Sequence, residues 1–310
     1  MTSGLHKRRI ALRVGDANDA VIDSAPDAPP SPPFDPVGGD LVKRHRLVTR
    51  LWHWVNAAAL LVMLMSGLMI FNAHPRLYWG QYGANPDYAW FEIGSRGERG
   101  FAKLGPLEVT TTGVLGVWRD EAGVVQRRAF PHWATIPSRY SLADARLWHL
   151  AFAWLLALGL LGFMIVSLFN RHFQRDLTIN RAEIRPSHVW HNIKQHARLR
   201  FPTGAAALRY NILQKLSYAA VIFILLPLII LTGLTMSPAM TSGWSWLLDI
   251  FGGRQSARSL HFIATVGLVG FFFVHIVMVL LADPINEVRS MISGWYRLPR
   301  ERVAKQEPLP

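Results

Sequence analysis

Four histidines stand inside or at the edge of long apolar runs: His53, His149, His261 and His275. An imidazole in hydrocarbon is costly unless it is bonded, so each needs a partner. The chemistries open to it there are metal ligation, a proton relay or a buried hydrogen bond. His261 and His275 share one run, Leu260 to Leu281, reading LHFIATVGLVGFFFVHIVMVLL. Their fourteen-residue spacing is roughly 21 Å of helical rise, and at ~3.6 residues per turn they fall within about 40° of one face. One helix therefore offers an imidazole toward each end of a bilayer core.

The elements that must position these residues are four apolar runs, at about 51–71, 147–169, 217–236 and 260–281, in a chain of 310 residues that is 51% hydrophobic. Runs of that length are read as membrane spans. The net charge of +13 lies between the runs, where it orients helices and meets anionic lipid; nucleic acid is not the implied partner. Lys43, Arg44, Arg46 and Arg50 precede the first run, eight Lys or Arg fall between Arg171 and Arg209, and Arg289, Arg297, Arg300, Arg302 and Lys305 follow the last. Basic flanks stay inside. The expected fold is thus all-α and integral to the membrane: a four-helix transmembrane bundle with both termini cytoplasmic, an external loop of about seventy residues (72–146) and a cytoplasmic loop (170–210).

Flanking the core, 43–298, are two expected cytoplasmic tails, 1–42 and 299–310. The first contains Pro-rich PDAPPSPPFDP and is expected to be disordered; no apolar region follows Arg8-Arg9, as a targeting signal would require. Within the external loop, HPRLYWG, FPHWATIP and the alternation of LEVTTTGVLGVWRD predict a folded segment with a hairpin or two. The third run holds Pro227 and no ionisable group apart from Tyr218, which predicts packing without chemistry. Trp244 and Trp246 suit membrane-interface anchors.

In this topology His53, early in a helix rising from the cytoplasm, and His275, late in a helix returning to it, share the inner depth. His149 and His261 share the outer depth. Two imidazole pairs at two depths match two bis-histidine haems stacked across a four-helix bundle. Cysteine is absent, which excludes disulfides, thiolate metal sites and covalently attached haem, so the haems would be non-covalent. The rival is a haem-free histidine relay in a transporter, but the chain shows no inverted repeat and no acidic residue well inside a span. Arg50, Arg146 and Arg258 each precede a proposed ligand by three residues and suit either propionate pairing or a membrane boundary. Gly67, Gly162, Gly233, Gly267 and Gly270 permit close approach of a macrocycle or of a neighbouring helix. His45, His74 and His132 read as loop residues, and His188, His191 and His196 as one face of an amphipathic helix with no interleaved carboxylate to complete a metal site.

With RLWHW (50–54), LWHL (147–150), LHFIA (260–264) and VHIVM (274–278), residues 43–298 resemble the di-haem cytochrome b subunits of periplasmic hydrogenases, formate dehydrogenases and thiosulfate reductases, within the bacterial cytochrome b561 group. The resemblance implies a subunit of the bacterial inner membrane with two haem b groups, the inner held by His53 with His275 and the outer by His149 with His261. It further implies electron transfer between a quinone pool and an external catalytic partner, commonly a molybdopterin enzyme or a hydrogenase. Asn211 and Gln214, at the inner start of the third span, are the candidates for a quinone contact. A stand-alone b561-like oxidoreductase acting on a small redox species is the other reading of the same residues.

Overall fold

The computed structural model describes residues 9–10, 39–171, 173–174, 177–180, 183–198 and 210–298. The expected tails therefore lie outside the described residues, apart from Arg9–Ile10 and 39–42. All four apolar runs are helices, Leu47–Phe71, Leu142–Phe169, Ile212–Met236 and Arg254–Ala282, each long and apolar enough to cross a membrane. Every one starts before its apolar run, because the first-turn amides can find partners outside the helix, as where those of Gln255 and Ser256 donate to the Gly80 carbonyl. His53, His149 and His261 consequently sit about two turns inside their helices instead of at the tips.

The third helix changes pitch. Residues Ile212–Ala220 are α, Val221–Leu225 are π, and α geometry resumes at Leu226–Met236. Pro227 lacks the amide hydrogen that an α-helix would donate backward and its ring crowds the preceding turn; the widened turn ahead of it relieves both problems.

The residues form two compact units whose boundaries fall within the four long helices. One unit comprises residues 1–53, 162–220 and 271–310. In it, Leu41–Lys43 pairs antiparallel with Trp295–Arg297, and Arg9–Ile10 runs parallel to Leu41 and Val42 on the other edge. Just before that last strand, helix Pro284–Ser293 is capped by Asp283, whose side chain accepts from the Asn286 amide, and ends at Gly294 with φ +85°. Arg44 grips both oxygens of Glu287, at 3.0 and 3.1 Å, and lies over the Tyr296 ring. Sequence beyond Asp283 that reads as a simple basic flank is thus folded back onto residues 41–44. Lys215 similarly reaches Glu183, at 3.0 Å.

The other unit comprises residues 54–161 and 221–270 and contains the long loop between the first and second helices. That loop exceeds the expected hairpin or two. Strands Arg76–Leu77, Phe91–Arg96, Arg99–Leu104 and Leu107–Thr110 form a four-stranded antiparallel sheet, and Trp118–Arg119 pairs with Val125–Gln126. Its apolar face buries Leu77, Ile93 and Ala129 against Phe71, the last residue of the first helix, with Phe91 and Phe262 packed alongside. The Phe262 ring lies 5.1 Å from Phe71 and 4.9 Å from Phe91, so the fourth helix supplies part of the loop's core.

Polar contacts fasten the same seam. Gly80 donates to Ser256 Oγ at 2.7 Å, while its carbonyl accepts from the Gln255 and Ser256 amides. Trp90 donates to Ser259 Oγ at 3.0 Å, and Ser259 donates to the Tyr78 carbonyl. Gly253 has φ +104°, and a Cβ there would lie 2.7 Å from the Gly80 carbonyl oxygen. Only glycine fits.

Candidate functional site

The structure brings the four intramembrane histidines together as two pairs, one in each unit. The rings of His53 and His275 are 6.2 Å apart between centroids, with planes at 59°; those of His149 and His261 are also 6.2 Å apart, at 56°. An imidazole nitrogen stands about 1.1 Å from its ring centre and a metal–imidazole bond is about 2.0–2.1 Å, so two rings ligating one metal from opposite sides hold their centres about 6.2 Å apart. Both pairs meet that spacing. The planes of trans imidazoles turn freely about the ligand axis, so the two tilts are compatible with it.

Backbone and hydroxyl oxygens set the tautomer in the second pair. His149 Nδ1 lies 3.1 Å from the Met63 carbonyl oxygen and 3.1 Å from Ser66 Oγ. A carbonyl only accepts, so Nδ1 carries the proton and Nε2 keeps its lone pair. Ser66 spends its own hydrogen on the Val62 carbonyl, at 2.7 Å, which leaves its oxygen as an acceptor for the ring. His261 is held in a similar way: Thr232 Oγ1 lies 3.1 Å from Nδ1 and donates to the Leu228 carbonyl at 2.6 Å, which leaves its oxygen as an acceptor for the ring. Metal-ligating histidines are ordinarily oriented by such a bond on the far nitrogen.

Glycines complete the cradle. A Cβ on Gly67 would lie 3.3 Å from His149 Cε1, and one on Gly233 would lie 3.5 Å from His261 Cε1. At these two of the five highlighted glycines the ring itself is the close neighbour. Gly267 instead faces Leu225, and Gly162 and Gly270 face open space. In the first pair, Phe271 stacks on His275 at 5.8 Å, and Trp52 stacks on Phe163 at 4.2 Å beside His53. The donor set, two imidazoles per site, suits the ligation of a haem iron. A bare ion would lack the remainder of its shell, and no group of three metal-binding side chains occurs among the described residues.

The flanking candidates divide. Arg258 donates to the His74 carbonyl and lies over the Phe71 ring, 5.6 Å from its centroid, which makes it part of the loop seam. Arg50 donates from Nε to the Met291 carbonyl at 3.4 Å, and Arg146 is exposed. Asn211 and Gln214 bond reciprocally, each side-chain oxygen accepting the other's backbone amide at 3.0 and 3.1 Å, which is a capping box on the third helix. His45 is buried next to Gly294. His74 lies 3.1 Å from the Tyr78 hydroxyl, and His132 lies 3.6 Å from Glu121. His188 and His191 lie on helix Pro186–Ala197, and the side chain of His196 is outside the described residues.

Ser66 and Thr232 are the residues that sequence reasoning missed, and the third helix is not the inert packing element its composition predicts. A signal was present: SGL (66–68) and TGL (232–234) place a hydroxyl directly before a glycine in two helices that carry none of the second pair's histidines.

Compared with known proteins, residues 44–294 match the family described as prokaryotic cytochrome b561. A protein of Azospira oryzae with the provisional name protein-methionine-sulfoxide reductase subunit YedZ1 is 26% identical over 250 residues, covering 79% of this chain and 93% of that protein. No solved structure matches the chain.

Proposed function

The chain belongs to the prokaryotic cytochrome b561 family, multi-pass membrane proteins that bind haem b, and on that premise we propose that it carries electrons through two b haems between quinone and an external oxidoreductase. The observation that carries this reading is the repeated 6.2 Å imidazole spacing. His53 with His275 would hold one haem and His149 with His261 the other. When bound, the haem supplies reversible one-electron chemistry.

In the His149–His261 pair the carbonyl and hydroxyl acceptors keep the proton of His149 on Nδ1, which leaves Nε2 free to bind iron, and apolar helices exclude water. Two imidazoles for each haem would leave the iron no position open to oxygen or a substrate, which supports electron transfer over catalysis at iron. The bacterial inner membrane is the proposed location, with both termini and the His53–His275 pair on the cytoplasmic side and the 72–146 loop outside. The Azospira protein's name as a reductase subunit supports a separate catalytic partner, here proposed to be periplasmic and of molybdopterin type. Quinone is proposed to exchange electrons near the His53–His275 pair; Asn211 and Gln214 would then act there through the helix start they cap.

Haem quantification with reduced-minus-oxidised spectra tests the reading. Wild type should hold two haems per polypeptide, and His261→Ala and His53→Ala should each lose one. A colourless protein, or a His261→Ala variant with an unchanged haem count, would refute it. Quinol-dependent turnover of a small oxidant by the purified subunit alone would favour the stand-alone enzyme.

A further inference from the structure

Resting on the two-haem reading, we infer that the hydroxyl–glycine steps Ser66-Gly67 and Thr232-Gly233 are a matched positioning device that locks both axial imidazoles of the His149–His261 site and sets that haem's potential below what unanchored histidines would give. Both hydroxyls are fully buried in the described structure. Each hydroxyl spends its hydrogen on its own helix, on the Val62 or the Leu228 carbonyl, and so turns an acceptor toward the Nδ1 of one ring; at His149 the Met63 carbonyl, one turn before Ser66, is a second acceptor on the same nitrogen. A Cβ at Gly67 would stand 3.3 Å from the His149 ring, closer than side chains ordinarily pack, so the glycine lets that ring lie against the helix; at Gly233 the 3.5 Å to the His261 ring is ordinary contact.

The hydroxyl acceptor is placed the same way on two helices and acts on two different histidines, which gives the two rings matching surroundings. Its electronic consequence follows from charge. Acceptors on Nδ1–H push electron density into the imidazole, a more basic ligand stabilises the ferric over the ferrous iron, and the potential falls. Neither residue ligates the iron; both act through the histidines.

Redox titration and low-spin ferric electron paramagnetic resonance of the intact detergent-solubilised protein test this. Thr232→Val keeps the volume and removes the acceptor. One haem, the one that His261→Ala abolishes, should then favour its reduced form by about threefold to tenfold, tenfold being about 59 mV for a one-electron couple. Thr232→Ser, which retains the hydroxyl, should restore the wild-type potential. Gly67→Ala, whose Cβ would stand 3.3 Å from the His149 ring and press on it, should move the resonance of that haem and leave the other unchanged. A Thr232→Val protein with two haems and an unmoved potential overturns the inference while leaving the two-haem reading intact; so does an equal shift in Thr232→Ser, which would make bulk and not the hydroxyl responsible. A wild-type protein without haem overturns both.

Discussion

Ser259→Ala should open the seam between the long loop and the fourth helix at its most buried point. The hydroxyl has no solvent exposure, accepts from the Trp90 indole at 3.0 Å and donates to the Tyr78 carbonyl. Alanine leaves a donor and an acceptor without partners, and each such loss costs about 1–3 kcal/mol. Trp90 is only half-buried, so water recovers part of its share, and the expected loss is about 2–4 kcal/mol. At about 2–4 °C per kcal/mol for a protein of this size, the thermal midpoint in detergent should fall by several degrees. Hydrogen exchange should accelerate at residues 76–81 and 90–93, the strands and turn this bond holds, while the amides of Phe163–Phe169 stay protected. A midpoint within a degree of wild type, or exchange that rises uniformly along the chain, would show that the seam is not what keeps the loop down.

Two more outcomes follow from the same region. Gly253→Ala should cost about 1–3 kcal/mol in backbone strain alone, because φ is +104°, and should also displace Gly80 and Gln81, whereas Gly243→Ala, with ordinary φ and a Cβ at ordinary contact distance from the Met240 carbonyl, should be neutral; paired melting curves check this. His74 titrates below its usual range, first because burial disfavours its charged form and then because Arg258 and Arg76 repel it, with Glu92 opposing. A group that binds protons less well when folded contributes stability that is complete above its unfolded pKa and is lost as pH falls below it toward the folded value. Loop protection should therefore weaken from neutral toward acid pH in wild type and change less in His74→Gln, a difference that exchange rates at two pH values would detect; identical slopes would refute it.

The four helices were legible because length and hydropathy alone make a span, and the pairing of His53 with His275 and His149 with His261 could be anticipated because antiparallel spans equalise depth. What stayed hidden was lateral. Nothing in hydropathy says which face of the third helix meets His261, since a threonine that bonds its own helix and one that also holds a ligand read alike. The loop's sheet was only partly visible: the alternation of LEVTTTGVLGVWRD announces a hairpin or two, but the strands within it pair outward, with Arg99–Leu104 and Val125–Gln126, and Arg76–Leu77 is too short to show a period and is held by pairing with Phe91 and Glu92. Arg258 is a further case. Its position three residues before a histidine suits propionate pairing or a membrane boundary, and its bond to the His74 carbonyl and its place over the Phe71 ring are contacts that no local pattern predicts.

The bonds from Thr232 and Ser66 carry a lesson for anyone who would graft this centre into another scaffold. Copying the histidine-bearing segments would reproduce the ligands and lose their aim, because the oxygens that fix each ring belong to neighbouring helices. The smallest portable unit includes a stretch of the third helix, the span whose own sequence advertises nothing.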